Sequence, residues 1–375
     1  MSIQQLKRVQ THEKFDNIDA LLVKKPENII YILGFNIESE TTILIPRADS
    51  GADPSKILVF LNALEYDRAK VNIEKNKELR KEMQLIKIPK DEPKFIQKTI
   101  NELNLNTLGF EDNYISVKMY NKWRKSLEDI ELEGCSEVLT DARLIKTEQE
   151  IKHMKKAAEL GIIGFNTIYE ECEAGVTEKE LAAKAEFAMR KAGSEGTAFD
   201  TIVASGENSA YPHASTSDKR IESGDLIIVD IGARFNGYCS DMTRTFIFDP
   251  DNSGNSDKKA RLVNLVNDGQ KKGLEEIKAG KKGSEMDELV RNYFENENEE
   301  WGERFIHSLG HGVGLEIHEG PNLSKKSDIT LKSGMCVTVE PGIYLPGFGG
   351  ARTEDLIVIE EDGYTSLTPA EKFYY

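Results

Sequence analysis

The stretch GDLIIVDIGARFNGYCSDMTR, Gly224 to Arg244, reads as two β-strands joined by a tight turn, with one carboxylate planted in each strand. Asn236-Gly237 supplies the turn, being the dipeptide that two-residue hairpin loops favour. Side chains alternate faces along a strand, so an even-numbered loop puts Asp230 and Asp241 on one face, directly opposed or on a diagonal. Opposed positions lie about 5 Å apart and diagonal ones about 7 Å. Like charges repel at that range, and the apolar run LIIV before Asp230 marks a buried strand where an unpaired charge is costly. Either one Asp faces solvent while the other caps the turn, or a cation, most simply a metal ion, sits between them.

Working outward, the pattern recurs as a weak internal duplication. Ala174-Gly175 precedes a helix capped by Thr177 with Glu180, and Ala279-Gly280 precedes one whose expected cap is Ser284 with Asp287. SGDLIIVD at 223–230 matches SGMCVTVE at 333–340, so Glu340 stands where Asp230 does. A second acid follows in each copy, Asp241 in one and Glu354, after PGIYLPGFGGART, in the other. Two halves that each offer two carboxylates suggest a pseudo-twofold core with four acids at its centre.

Carboxylates alone suit Mg or Ca, whereas an imidazole among them shifts preference toward Mn, Co, Fe or Zn. His311 lies in LGHGVG, where Gly310, Gly312 and Gly314 oppose a helix, allow close backbone approach, and make a helical metal pair with His307 a poor reading. Five ligands around two ions would leave Asp241 and Glu354 to bridge. Two ions about 3.5–4 Å apart lower the pKa of a water between them and polarise a carbonyl, which is hydrolysis without a protein nucleophile. His213 in AYPHAS and His318 in EIHEG are each, taken alone, ordinary loop or strand-end histidines. Beside such a centre they become candidates to stabilise an oxyanion and protonate a leaving nitrogen.

The 375 residues suffice for two domains. A net charge of −16 argues against a nucleic-acid or anionic-membrane surface. Four scattered cysteines form neither a zinc knuckle nor a disulfide framework, and the N-terminus lacks the apolar core of a signal peptide, so a cytoplasmic protein is expected. In the first half, ALLV (20–23), TTILIP (41–46), KILVFL (56–61), QLIKIP (84–89) and TLGFE (107–111) read as strands, and EPKFIQKTINEL and SVKMYNKWRKSLEDI as helices. That alternation is an α/β layered domain over 1–145, with a structural or access-restricting role. The second domain, 146–375, opens with a Thr147/Glu150 capping box and a helix to about Cys172.

HSLGHGVGLEIHE (307–319), VEPGIY (339–344), GGARTED (349–355) and DIGARFNGYCSDMTRTF (230–246) together resemble the proline-specific metallopeptidases, prolidase (Xaa-Pro dipeptidase) and aminopeptidase P. The resemblance spans essentially the whole second half, and the first half is similar to a creatinase-type N-terminal domain. It implies an α/β (α+β) architecture with a pita-bread catalytic domain, and two divalent ions, Mn2+ or Co2+ ahead of Zn2+ or Fe2+. Asp230 and Asp241 would hold one ion and Asp241, His311, Glu340 and Glu354 the other. It further implies that His213 and His318 contact the substrate, that Glu340 shuttles a proton, and that Tyr344 and Arg352 line or brace the pocket. The implied substrates are Xaa-Pro dipeptides or short peptides, and the implied assembly a homodimer. One position departs from the pattern: Asn322 stands where prolidases commonly carry an arginine for a dipeptide's C-terminal carboxylate. Two other readings share the fold, a methionine aminopeptidase, opposed by the N-terminal domain and the EIHE segment, and a non-catalytic peptide-binding relative, opposed by the intact ligand set.

Overall fold

In a computed structural model of the protein, which describes residues 3–47, 56–89, 92–103, 105–250 and 256–375, Asn236 and Gly237 carry φ values of 49° and 80°. That left-handed pair is what a two-residue hairpin turn requires. Phe235 pairs with Tyr238 beside the turn, and the same register continues to Ile231↔Met242 and Asp230↔Thr243. Asp241 therefore lies two residues from the partner of Asp230, on the diagonal and on the same face. The hairpin is not two unbroken strands, however. It divides into Leu226–Ile231, Ala233–Phe235, Tyr238–Cys239 and Met242–Ile247. Gly232 marks the break, where a Cβ would stand 2.1 Å from the Ser240 carbonyl oxygen, so no other residue fits without moving the backbone.

In the matching strand pair, Cys336–Val339 runs antiparallel to Asp355–Glu360 and ends on Val339↔Asp355, leaving Glu340 and Glu354 at the strand ends. The two sheets meet at a bridge between Thr243 and Glu354, where the Glu354 N–H donates to the Thr243 carbonyl at 3.0 Å. By register, the counterpart of Glu354 is Thr243 rather than Asp241. The duplication expected from the sequence is present, but its second acids sit at unequal positions.

Helices cover the strands. Thr147 and Thr177 both form the expected capping boxes, opening Glu148–Glu170 and Glu178–Lys191. The third cap differs from expectation: Lys282 precedes Gly283–Glu297 and its N–H donates to Glu285 Oε2 at 3.0 Å. Ser284 lies inside that helix. Asp287 is unavailable for capping because it is buried against Arg291 Nε (2.7 Å) and the Leu309 N–H (3.0 Å). Two apolar clusters fill the halves, one built on Leu160, Phe165, Leu181, Val229 and Phe246, the other on Val263, Val266, Val290, Phe294, Val337 and Ile357.

Between them runs Arg244, 1% exposed. Its guanidinium pairs with Asp355 Oδ1 at 2.7 Å and donates to the carbonyls of Thr243, Glu354, Thr368, Ala370 and Glu371. A buried cation is tolerated only when its donors are satisfied in this way. The 368–371 segment is thereby tied to the strand that carries Glu354.

The chain divides into two units, residues 1–143 and 144–375. The first holds a six-stranded mixed sheet, in spatial order Met83–Lys87, Ile57–Leu61, Thr42–Pro46, Ala20–Val23, Thr107–Phe110 and Glu131–Gly134. Five of these strands are the apolar runs of the sequence. The sixth, ELEG, has no apolar pattern because it is an edge strand with no buried residue. Helices Glu92–Glu102 and Val117–Ser126 lie where their spacing placed them; the second stops short because Leu127 turns into the core.

Candidate active site

His311 sits on the short strand Gly310–Gly312, whose flanking glycines each lie so close to neighbouring backbone that a Cβ would fall within 2.1 Å of a carbonyl oxygen. The imidazole is oriented by its own hydrogen bond: Nδ1 lies 3.1 Å from the Gly312 carbonyl, which leaves Nε2 facing the acids. Nε2 is 3.2 Å from Glu340 Oε1 and 3.6 Å from Asp241 Oδ2. Among the described residues, Asp241, His311 and Glu354 form a group whose donor atoms all lie within 4.8 Å of one another. The register of two sheets brings them there from positions up to 113 residues apart.

The other two acids sit beside this group with different partners. Glu340 accepts from Thr338 Oγ1 at 3.0 Å as well as facing His311. Asp230 Oδ2 is held by Arg352 Nη2 at 2.5 Å. Two buried carboxylate oxygens of the site, Asp230 Oδ1 and Glu354 Oε1, have no hydrogen-bond partner among the described residues. Buried acceptors are almost always satisfied, and two orphaned anionic oxygens beside a carboxylate and imidazole cluster offer donors of the kind that suit a divalent cation.

The electrostatics agree. Burial, then the charges of Glu354 and Asp230, push Asp241 well above the ordinary carboxylate range. Burial, then Glu340 and Asp230, do the same to Glu354. Asp230 is also raised, burial outweighing the nearby Arg352 charge. Burial acts on Glu340 as well, but the hydrogen bond and charge of His311 overcome it and hold the acid below its usual value. Without a cation the protein charge present cannot keep all these acids ionised.

The group faces a cavity of about 380 Å3 lined by all nine site residues expected from the sequence, with Asn322 and His307. His318 packs its ring edge against His311 with centroids 4.4 Å apart, and burial followed by the His311 charge lowers its pKa. His213 is exposed at the cavity. Arg352 spends its donors inside the wall, on Asp230, on Tyr344 Oη (2.8 Å), on Thr243 Oγ1 (3.2 Å) and on the Pro212 carbonyl (3.4 Å). Tyr344 Oη also meets His307 Nε2 at 3.1 Å.

The sequence reading assigned no role to several members. Thr243 donates to Glu354 Oε2 at 2.6 Å and was hidden in the strand pattern; its place opposite Asp230 is the only signal that marks it. Phe199, Ile202, Pro212 and Ile317 supply the apolar wall, and scattered single residues of that kind carry no pattern. The four cysteines are free, and burial pushes Cys172 and Cys336 up to about 12, which removes thiolate chemistry near neutrality.

Comparison with known proteins completes the description. Residues 152–361 match the model of metallopeptidase family M24, and residues 5–145 match the creatinase/prolidase N-terminal domain. The chain is 38% identical over 358 residues to an Xaa-Pro dipeptidase of Pyrococcus furiosus, covering 95% of each. Its structure is similar to that of an Xaa-Pro dipeptidase from Bacillus anthracis (TM-score 0.90, 34% identity, 99% of each chain). An X-Pro aminopeptidase from Thermotoga maritima is similar too (TM-score 0.84, 34% identity, 97% of this chain and 99% of the other).

Proposed function

The chain belongs to metallopeptidase family M24, with the creatinase/prolidase N-terminal and pita-bread catalytic domains of that family, and from that premise we propose that it hydrolyses the peptide bond between an N-terminal residue and a following proline. The observation that carries this reading is the convergence of Asp241, His311 and Glu354 beside two unpartnered buried carboxylate oxygens in the cavity wall. Asp230, Asp241, His311, Glu340 and Glu354 would hold two divalent cations, Mn2+ or Co2+ ahead of Zn2+ or Fe2+. When bound, the cations supply an activated water and polarise the scissile carbonyl.

The chain's own groups do the rest. Glu340, kept deprotonated by His311, accepts the water proton and returns it to the departing nitrogen. His213 and His318, at the cavity, donate to the carbonyl oxygen as charge develops on it. Arg352 braces Asp230 and Tyr344 instead of reaching substrate, since its donors are engaged within the wall. An Xaa-Pro amide has no N–H to satisfy, and Phe199, Ile202, Pro212 and Ile317 offer the proline ring an apolar seat.

Substrate length follows from charge. Among the described residues Arg352 is the only lysine or arginine lining the cavity, and Asn322 is neutral. A dipeptide's carboxylate would enter without a cationic partner, so peptides that continue past the proline are preferred. The domain boundary is placed after residue 145, supported by the end of the N-terminal match. A cytoplasmic homodimer is the proposed setting; no described helix is long and apolar enough to cross a membrane.

A panel of Xaa-Pro, Xaa-Pro-Xaa and Met-Ala peptides with added Mn2+ or Co2+ tests the proposal. Cleavage before proline that chelation abolishes is expected, with tripeptides ahead of dipeptides. Full activity in metal-stripped protein overturns it, and equal cleavage of Met-Ala and Met-Pro peptides points to a methionine aminopeptidase instead.

A further inference from the structure

Glu178 has no exposed surface, and among the described residues no cation pairs with it. Its carboxylate is instead saturated by neutral donors. Oε1 accepts from the Ser205 N–H (2.7 Å) and Ser205 Oγ (2.8 Å); Oε2 accepts from Asn208 Nδ2 (2.9 Å), the Ser217 N–H (2.9 Å) and Ser217 Oγ (2.7 Å). A carboxylate offers about four lone-pair sites, so this one is fully used.

The donors come from the two ends of one segment. Residues 205–217 leave the strand Ile202–Ser205, pass through Pro212 and His213 at the cavity, and return to Ser217. A second tie, Thr216 Oγ1 with the Val203 N–H at 2.9 Å and the Thr201 carbonyl at 2.9 Å, closes the same base. His213 itself is exposed, and among the described residues its side chain has no hydrogen-bond partner, so its place over the cavity follows from the backbone of this segment, which Arg352 also touches at the Pro212 carbonyl.

We infer that Glu178 is a positioning residue for His213: by drawing both ends of the 205–217 segment onto one carboxylate, it fixes where that imidazole meets substrate. This rests on the peptidase reading above. Glu178→Gln keeps the size but turns one acceptor into a donor, which leaves buried N–H and O–H groups of either Ser205 or Ser217 facing an NH2.

The test is a double-mutant cycle on the full chain loaded with Mn2+, using an Xaa-Pro peptide, with wild type, Glu178→Gln, His213→Ala and the double variant. Glu178→Gln is expected to lower kcat by between about 10- and 10²-fold, the scale of misplacing a group by about an ångström. Metal content should stay at the wild-type level, and the same change made in His213→Ala should produce no further loss. Equal losses in both backgrounds, or no loss in the single variant, overturn the inference. Hydrogen exchange of the 205–217 amides gives a readout independent of substrate: faster exchange in Glu178→Gln supports the clamp, and an unchanged pattern overturns it even if the peptidase reading itself fails. Should Glu178→Gln not fold, Ser217→Ala, which removes one donor from Oε2, enters the same cycle and the same exchange measurement.

Discussion

The two halves of the catalytic unit share a backbone plan and differ in what they place on it. Gly175 and Gly280 turn at φ 88° and 89°, and their N–H groups donate to the Ile221 and Leu331 carbonyls at 2.9 Å each. Gly224 and Gly334 match in the same way, at φ 83° and 86°. One step further the Glu178 and Gly283 N–H groups donate to Lys219 and Ile329, and those of Lys179 and Ser284 to Ser217 and Ser327. Yet Glu178 spaces its loop from the helix with a carboxylate, whereas a Cβ on Gly283 would lie 2.4 Å from the Asn322 carbonyl oxygen. The first loop carries His213 on a polar clamp; the second, with Asn322, rests on bare backbone. The two copies share the scaffold and the matched acids Asp230 and Glu340, and they part at the loops that carry His213 and Asn322.

The contrast breaks most completely at the cation site, because His311 in one half has no imidazole counterpart in the other. His311→Ala should lower metal content, read by elemental analysis, and reduce hydrolysis by more than the roughly 10–100-fold typical of residues one shell removed from a metal. Thr243, the counterpart of Glu354 by register and its hydrogen-bond donor, would be such a residue with a cation bound at the candidate cluster. Thr243→Val should weaken metal affinity by about 10–100-fold in a titration while the far-ultraviolet circular dichroism stays unchanged.

Gly283→Ala tests the bare half directly. With backbone only 2.4 Å from the new carbon the loop has to move, and a loss of about 1–3 kcal/mol in denaturant unfolding is expected. Ala at Gly280, which is exposed and whose Cβ meets nothing within 4 Å, would be strained only through φ, which separates crowding from conformation.

The smallest effect compares the caps. Thr177 gives Glu180 both its N–H and its hydroxyl, each at 2.8–2.9 Å, and these hold the Glu180 carboxyl below the ordinary value of 4.5. A depressed pKa contributes stability above the unfolded value that is lost as pH falls through the folded one, so this cap weakens in acid below about 4.5. Thr177→Ala, which removes the hydroxyl but keeps the N–H, should raise the Glu180 pKa part of the way toward 4.5 in a carbon-detected NMR titration.

What the sequence made legible was whatever repeats at short range. Asn236-Gly237 marked the turn and put Asp230 and Asp241 on one face, while the choice of diagonal over direct opposition came from the observed register. Thr147 and Thr177 declared their helices by an acid three residues on. The Lys282 cap escaped because Ser284 and Asp287 imitate the same spacing, and what withdraws Asp287 is an i,i+4 pair with Arg291 together with the distant Leu309 N–H. Nothing local tells Glu178 from any first-turn glutamate, since its donors stand 27 to 39 residues away. Five metal-ligand candidates were named from spacing, but the engagement of Asp230 by Arg352 depends on a partner 122 residues distant.

Arg244 gives the 368–371 segment a significance its distance from the cavity conceals. Those carbonyls share a guanidinium with the backbone of Glu354, so deleting residues 368–371 would leave the buried Arg244 charge with only Asp355 and the Thr243 and Glu354 carbonyls beside the acid cluster. A variant without that segment should lose hydrolysis first, failing as an enzyme before it fails as a fold.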